Sequence, residues 1–148
     1  MNFNLPDSLM THKDVKRALQ SLNNLDVVSD KDQAYSQLAP EAQALVDANK
    51  KSWQDSELNG FKDMAEEFVK QAPVFDVILP TYPHDSLLKE VVSWFRREIH
   101  VNSLLNVSVR RSIGGGLVLR SKNRMFDMSF RPKILDAKDK IPEVLRRV

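Results

Sequence analysis

The sequence predicts an α+β fold. A helical N-terminal region of three to four helices, residues 1–72, precedes a small α/β region, residues 73–148, whose mixed sheet carries one packed helix in the order β-α-β-β-β. Three observations predict it. Apolar residues recur at helical spacing as far as residue 72. From Pro73 onward short runs alternate apolar and polar residues, as strands do. Charge divides the same way: residues 1–72 hold 8 basic and 12 acidic residues, and residues 73–148 hold 14 and 8. A net −4 beside a net +6 predicts two halves with different partners.

The first helix lies in THKDVKRALQSLNNL, where Val15, Ala18, Leu19, Leu22 and Leu25 form one stripe. Thr11 with Asp14 three residues on suits a capping box. A second helix follows Pro40, which costs nothing in a first turn, and runs through EAQALVDANKKSW with Leu45, Val46 and Trp53 inward. A third occupies SELNGFKDMAEEFVKQ, with Leu58, Phe61, Ala65, Phe68 and Val69 on one face.

PVFDVILP reads as the first strand, with Phe75, Val77 and Leu79 opposite Val74, Asp76 and Ile78. The helix SLLKEVVSWFRREIH points Leu87, Leu88, Val91, Val92, Phe95 and Ile99 inward on one broad face. LLNVSVRRSI is the next strand, and a helical link between the two favours a parallel crossover. LVLR and RMFDMSFR follow as strands around the turn SKN, with Phe126, Met128 and Phe130 on one face. Pro132 ends the ladder because it has no donor, and a short helix is expected near Pro142.

Several chemistries are excluded. The chain has no cysteine, so it has no disulfide, no thiolate metal site and no cysteine nucleophile; this fits a reducing compartment. No run approaches the roughly 18 apolar residues of a membrane span. The start, MNFNLPDSLMTHKD, lacks a basic segment followed by an apolar one, so a cytoplasmic location is expected. His12, His84 and His100 are far apart, and each suits a cap or a solvated position better than a metal. Trp53 and Trp94 suit a core or an interface.

Three of the four glycines stand together as Gly114, Gly115 and Gly116. A phosphate loop needs Lys-Ser/Thr after its last glycine and then a helix, and neither follows here. The dinucleotide pattern is also missing. The triplet reads instead as a sharp bend between strands, permitted by positive φ. Asp127 and Ser129 lie two apart on one strand face, within reach of the nearby turn, and no positioned histidine completes a triad. Arg110, Arg111, Arg120, Lys122, Arg124 and Arg131 make a basic stripe. It suits a solvated face, an acidic protein partner or a nucleic acid, although no RNP or GXXG signature supports the last.

Together these segments resemble a known family. VFDVILP, SLLKEVVSWFRREI and LNVSVRRSIGGGLVLRSKNRMFDMSFRPKI are similar to the C-terminal region of the delta subunit of F-type ATP synthase, the oligomycin-sensitivity-conferring protein family. Ile113, Gly114 and Gly115 match its "IGG", with Gly116 an added glycine. Leu117 to Arg120 match the strand that follows, and Asp127 and Ser129 match its "DGS", with Met128 in place of the glycine. Arg110 and Arg111 stand where the family usually has an acidic residue. The likeness covers residues 73–135, while residues 1–72 share only the amphipathic character of the family's longer helical bundle.

The resemblance implies a non-catalytic stator part that binds no cofactor and no metal. It would join the α3β3 head, through the N-terminal segments of the α subunits, to the C-terminal ends of the b-subunit stalk. It would sit on the cytoplasmic side of the membrane, held there only through the complex. Val15, Leu19 and Leu22 are then candidate partner-binding residues on the first helix, and Arg110 and Arg111 on the second half. The helical half would present its exposed apolar residues as a groove. A small basic nucleic-acid-binding module is the alternative. The long-helix stalk protein of V- and A-type ATPases, which also has a "GG" strand motif, fits less well, because Pro6, Pro40 and Gly60 interrupt the long helix it needs.

Overall fold

The computed structural model describes residues 3–25, 30–130 and 132. Helices come first and a four-stranded mixed sheet follows, as the α+β reading expects. Five helices precede the first strand, where three or four were expected. They are α1 (His12–Asn23), α2 (Lys31–Ser36), α3 (Pro40–Ala48), α4 (Lys50–Asp55) and α5 (Leu58–Gln71).

Two local causes raise the number. Asp30 caps a short helix, α2, accepting from the Asp32 N–H and supplying the partner that an N-terminus lacks. Asn49 breaks the expected second helix in two: its backbone leaves the helical region at ψ 35°. Its side chain also pins the N-terminal segment. Asn49 Oδ1 accepts from the Asn4 N–H at 2.7 Å, and Nδ2 donates to the Asn4 and Leu45 carbonyls, both at 2.8 Å. The α4 end is closed by Lys31, whose Nζ donates to the carbonyls of Trp53, Gln54 and Ser56 at 2.7, 2.8 and 2.6 Å.

The chain divides into two compact units. The first runs to Val74 and takes up Asp85–Asn106 as well, so it holds the expected helical residues 1–72 and one more helix, α6 (Asp85–Glu98). Its core gathers Leu9, Val15, Ala18, Leu22, Leu45, Phe61 and Leu104. Trp53 stands edge-on to Phe61, with ring centroids 5.1 Å apart. The capping box on α1 is complete: the Asp14 N–H donates to Thr11 Oγ1, and the Thr11 N–H to Asp14 Oδ2. The residues just before α1 also make a short parallel bridge within this unit, with the Leu105 N–H donating to the Met10 carbonyl.

The second unit takes Phe75–His84 and the chain from Val107 onward. The sheet order is β2-β1-β3-β4, with β1 (Val74–Leu79), β2 (Leu104–Val109), β3 (Gly116–Arg120) and β4 (Met125–Ser129). The Leu104 N–H donates to the Pro73 carbonyl and the Arg110 N–H to the Leu79 carbonyl. Both bonds advance in the same direction, so β1 and β2 run parallel, as expected across a helical crossover. β1 with β3 and β3 with β4 are antiparallel. The expected long second strand stops at Val109, and a 3₁₀ turn, Arg111–Ile113, follows it. The helix expected near Pro142 and the basic residue Arg131 lie outside the described residues.

Candidate functional site

The glycine triplet is a bend in which each residue has its own conformational reason. Gly114 caps the 3₁₀ turn in the left-handed region at φ 71°. Gly115 and Gly116 follow at φ 151° and 73°. The Gly115 carbonyl accepts from the Phe130 N–H at 3.0 Å. A Cβ on Gly115 would stand 2.7 Å from Phe130 Cδ2, and one on Gly116 would collide with the Met128 carbonyl oxygen. The glycines therefore let β3 lie close against β4. Ile113, buried at 4%, anchors the loop below.

The register joins the two halves of the sequence motif. Gly116 stands opposite Ser129, and Val118 opposite Asp127. Asp127 Oδ1 accepts from the Ser129 N–H at 2.9 Å, so the pair is used within its own strand. The Ser129 hydroxyl is buried and has no hydrogen-bond partner among the described residues. Arg110 and Arg111 are exposed; Arg111 supplies only a backbone carbonyl, to the Gly114 N–H.

The candidate partner-binding residues of α1 are placed otherwise than expected. Val15 and Leu22 have no accessible surface, and Leu19 packs half-buried against the same core. A stripe that fills its own core is not open to a partner, so Val15 and Leu22 are corrected to core positions and Leu19 to one partly buried against that core. The expected apolar groove on the helical half is absent among the described residues: every large exposed hydrophobic side chain belongs to residue 82 or later.

Two groups among those exposed residues lie on or just beyond single elements. On α6, Leu88, Val92 and Phe95 are buried, while Leu87, Trp94 and the following Ile99 are exposed. The single broad face expected there is thus two neighbouring stripes, one turned inward and one outward. Trp94 is accordingly not a core residue; it stands edge-on to Phe95 at 5.2 Å. On β4 and just after it, Phe126, Met128 and Phe130 are 54, 53 and 52% exposed. Register places Phe126 beside Leu119, which in turn lies beside Val77, and Met128 beside Leu117, so one face of the hairpin is apolar throughout. The opposite face carries Asp76, Arg120 and Met125 in one row, and Ile78, Val118 and Asp127 in the next.

Arg96 escaped the sequence reading. Its side chain is only 10% exposed, and it donates to the carbonyls of Pro6, Leu9 and Ser103 and to Asp7 Oδ1. Burial lowers its pKa, and Asp7 opposes the shift. A signal exists in the sequence, since Arg96 continues the four-residue spacing of Leu88 and Val92.

Among the described residues no three His, Asp or Glu side chains gather into a metal site. His12 opens α1, His100 Nδ1 accepts from the Asn102 N–H, and His84 is exposed. One open depression of about 550 Å³ is lined by Asn4, Asn49, Lys50, Lys51, Ser52 and Asp55. No helix among the described residues is long and apolar enough to cross a membrane. No known family model matches the chain, and no curated protein is detectably similar to it.

Proposed function

We propose that this chain is a non-catalytic stator component of an F-type ATP synthase, of the delta type. It would link the α3β3 head to the b-subunit stalk and so support proton-driven ATP synthesis. The observation that carries the reading is the motif geometry. Ile113 to Gly116 and Asp127 with Ser129, parted by a hairpin in sequence, make one interlocked corner of the sheet. A stator transmits no chemistry; it has to hold position against torque, which asks for rigid elements and docking surface. An interlocked corner and exposed apolar side chains on β4 and α6 suit that task. In this reading the protein lies at the cytoplasmic side of the membrane, is held there only by its partners, and takes no cofactor, metal or nucleic acid.

The test is co-purification of the full chain with the α-type and b-type subunits of the same genome. Stable co-elution with both is expected. Failure to bind either, or tight binding of ATP by the isolated chain, would sink the reading. The nucleic-acid alternative draws on Phe126 and Phe130, exposed on a sheet that also carries Arg120, Lys122 and Arg124. It requires an affinity for single-stranded RNA or DNA that falls steeply with salt.

A further inference from the structure

We infer that the apolar face of the β3–β4 hairpin seats an amphipathic helix with acidic ends, supplied by a partner protein. The inference rests on the reading of this chain as a docking scaffold and adds which surface docks and what it takes. Leu117, Leu119, Phe126 and Met128 form two adjacent rows of this face, and the two β4 side chains are more than half exposed. Exposed neighbouring apolar side chains gain free energy when a partner removes them from water.

The outer edge of the sheet is a poorer seat. Ladder bonds at the hairpin turn and at Gly115 turn the N–H groups of Phe126, Met128 and Phe130 towards β3, and those of Met125, Asp127 and Ser129 outwards. The outward N–H of Ser129 is taken by Asp127 Oδ1. An added strand would have to break that bond. Docking therefore uses the face of the hairpin.

Charge selects the occupant. The described part of this unit carries five basic residues, Arg110, Arg111, Arg120, Lys122 and Arg124, against Asp76 and Asp127. None of the five forms an ion pair among the described residues. Arg111 precedes the hairpin at one end, and Lys122 with Arg124 marks the other. A five-residue strand spans about 16 Å, the length of about three helical turns, so acidic residues near both ends of such a helix would meet cations. A second copy of the chain would bring like charge against like. Residues 133–148 hold five basic and three acidic residues, so they too carry the wrong sign. Leu117, Leu119 and Met128 suit side chains better than stacked bases, and Arg120 alternates to the opposite face.

The probe is a set of three synthetic helical peptides with one shared leucine face and with Glu, Gln or Lys at both ends, titrated into the full chain. The Glu-ended peptide should bind tightest, weaken as salt rises, and shift the amide resonances of Leu117, Leu119, Phe126 and Met128. Phe126→Ser with Met128→Ser should weaken it by about tenfold or more. Met125→Ser, on the other face of the same strand, should not. If the double variant melts early, Phe126→Gln and Met128→Gln are read singly. Four results would overturn the inference: binding of no peptide, binding without preference for Glu ends, unchanged affinity in the variants, or a photocrosslink from position 126 to a second copy or to residues 133–148. The peptides are not taken from any ATP synthase, so failure here and failure of the co-purification are separate events.

Discussion

A single methyl group on Gly116 would do more harm than most surface substitutions. Its φ of 73° disfavours any side chain, and the Met128 carbonyl fills the place of a Cβ. Gly116→Ala should cost roughly 2–3 kcal/mol, read as a lower denaturation midpoint; an unchanged midpoint would refute the close approach. His12 makes a second residue-scale prediction. Burial, then Lys16, lowers its pKa from the ordinary 6.5. The unfolded chain then takes up the proton at higher pH than the folded one. The contribution of His12 to stability is therefore complete above pH 6.5 and is lost as pH falls through that value towards the lower folded pKa. His12→Gln should flatten this slope in unfolding measured between mildly acid and neutral pH. The Thr11–Asp14 cap was legible because its partners lie three residues apart. The Asn49 break was not, because its partner Asn4 lies 45 residues away.

Elements are fixed by local pattern, but their faces are chosen by what packs on them. α6 illustrates both. Its apolar spacing identified a helix from sequence, yet the single broad inward face expected there is buried only along Leu88, Val92 and Phe95. Arg96 then became a clasp between α6, the Ser103 carbonyl and the N-terminal segment. Its ion pair with Asp7 is incidental, since the Asp7 side chain is fully exposed. Arg96→Met should therefore cost about 2–4 kcal/mol through carbonyls left without a donor. Asp7→Ala should change stability little. Thermal or urea unfolding of the two variants decides it, and equal losses would return the weight to the ion pair.

On the scale of the whole molecule, the large exposed apolar side chains of the described residues all belong to residue 82 or later, and the helices α1 to α5 spend theirs on their own core. On the proposed scaffold reading, docking by hydrophobic contact falls to the later part of the chain. Contact with the early helices, where it occurs, has to be largely polar, and the net charge of −4 on residues 1–72 suits a basic partner surface. The proposed scaffold role predicts that Mg-ATP leaves the melting midpoint of the full chain unchanged, because only a ligand that binds the folded state raises it. A rise of several degrees in a thermal-shift assay would contradict this.

By itself the sequence determined the α+β class, the strand order along the chain, the α1 cap, Pro40 opening a helix and the architectural use of the glycines. These are decided by neighbours within a few residues, through periodicity, φ preference and side-chain reach. Only the tertiary structure decided that Val15 and Leu22 face inward, that Leu87 and Trp94 face outward, that Gly116 meets Ser129, and that Arg96 is buried. Each of those depends on a surface contributed by residues distant in the chain, and an amphipathic pattern states that a face must be covered without stating by what.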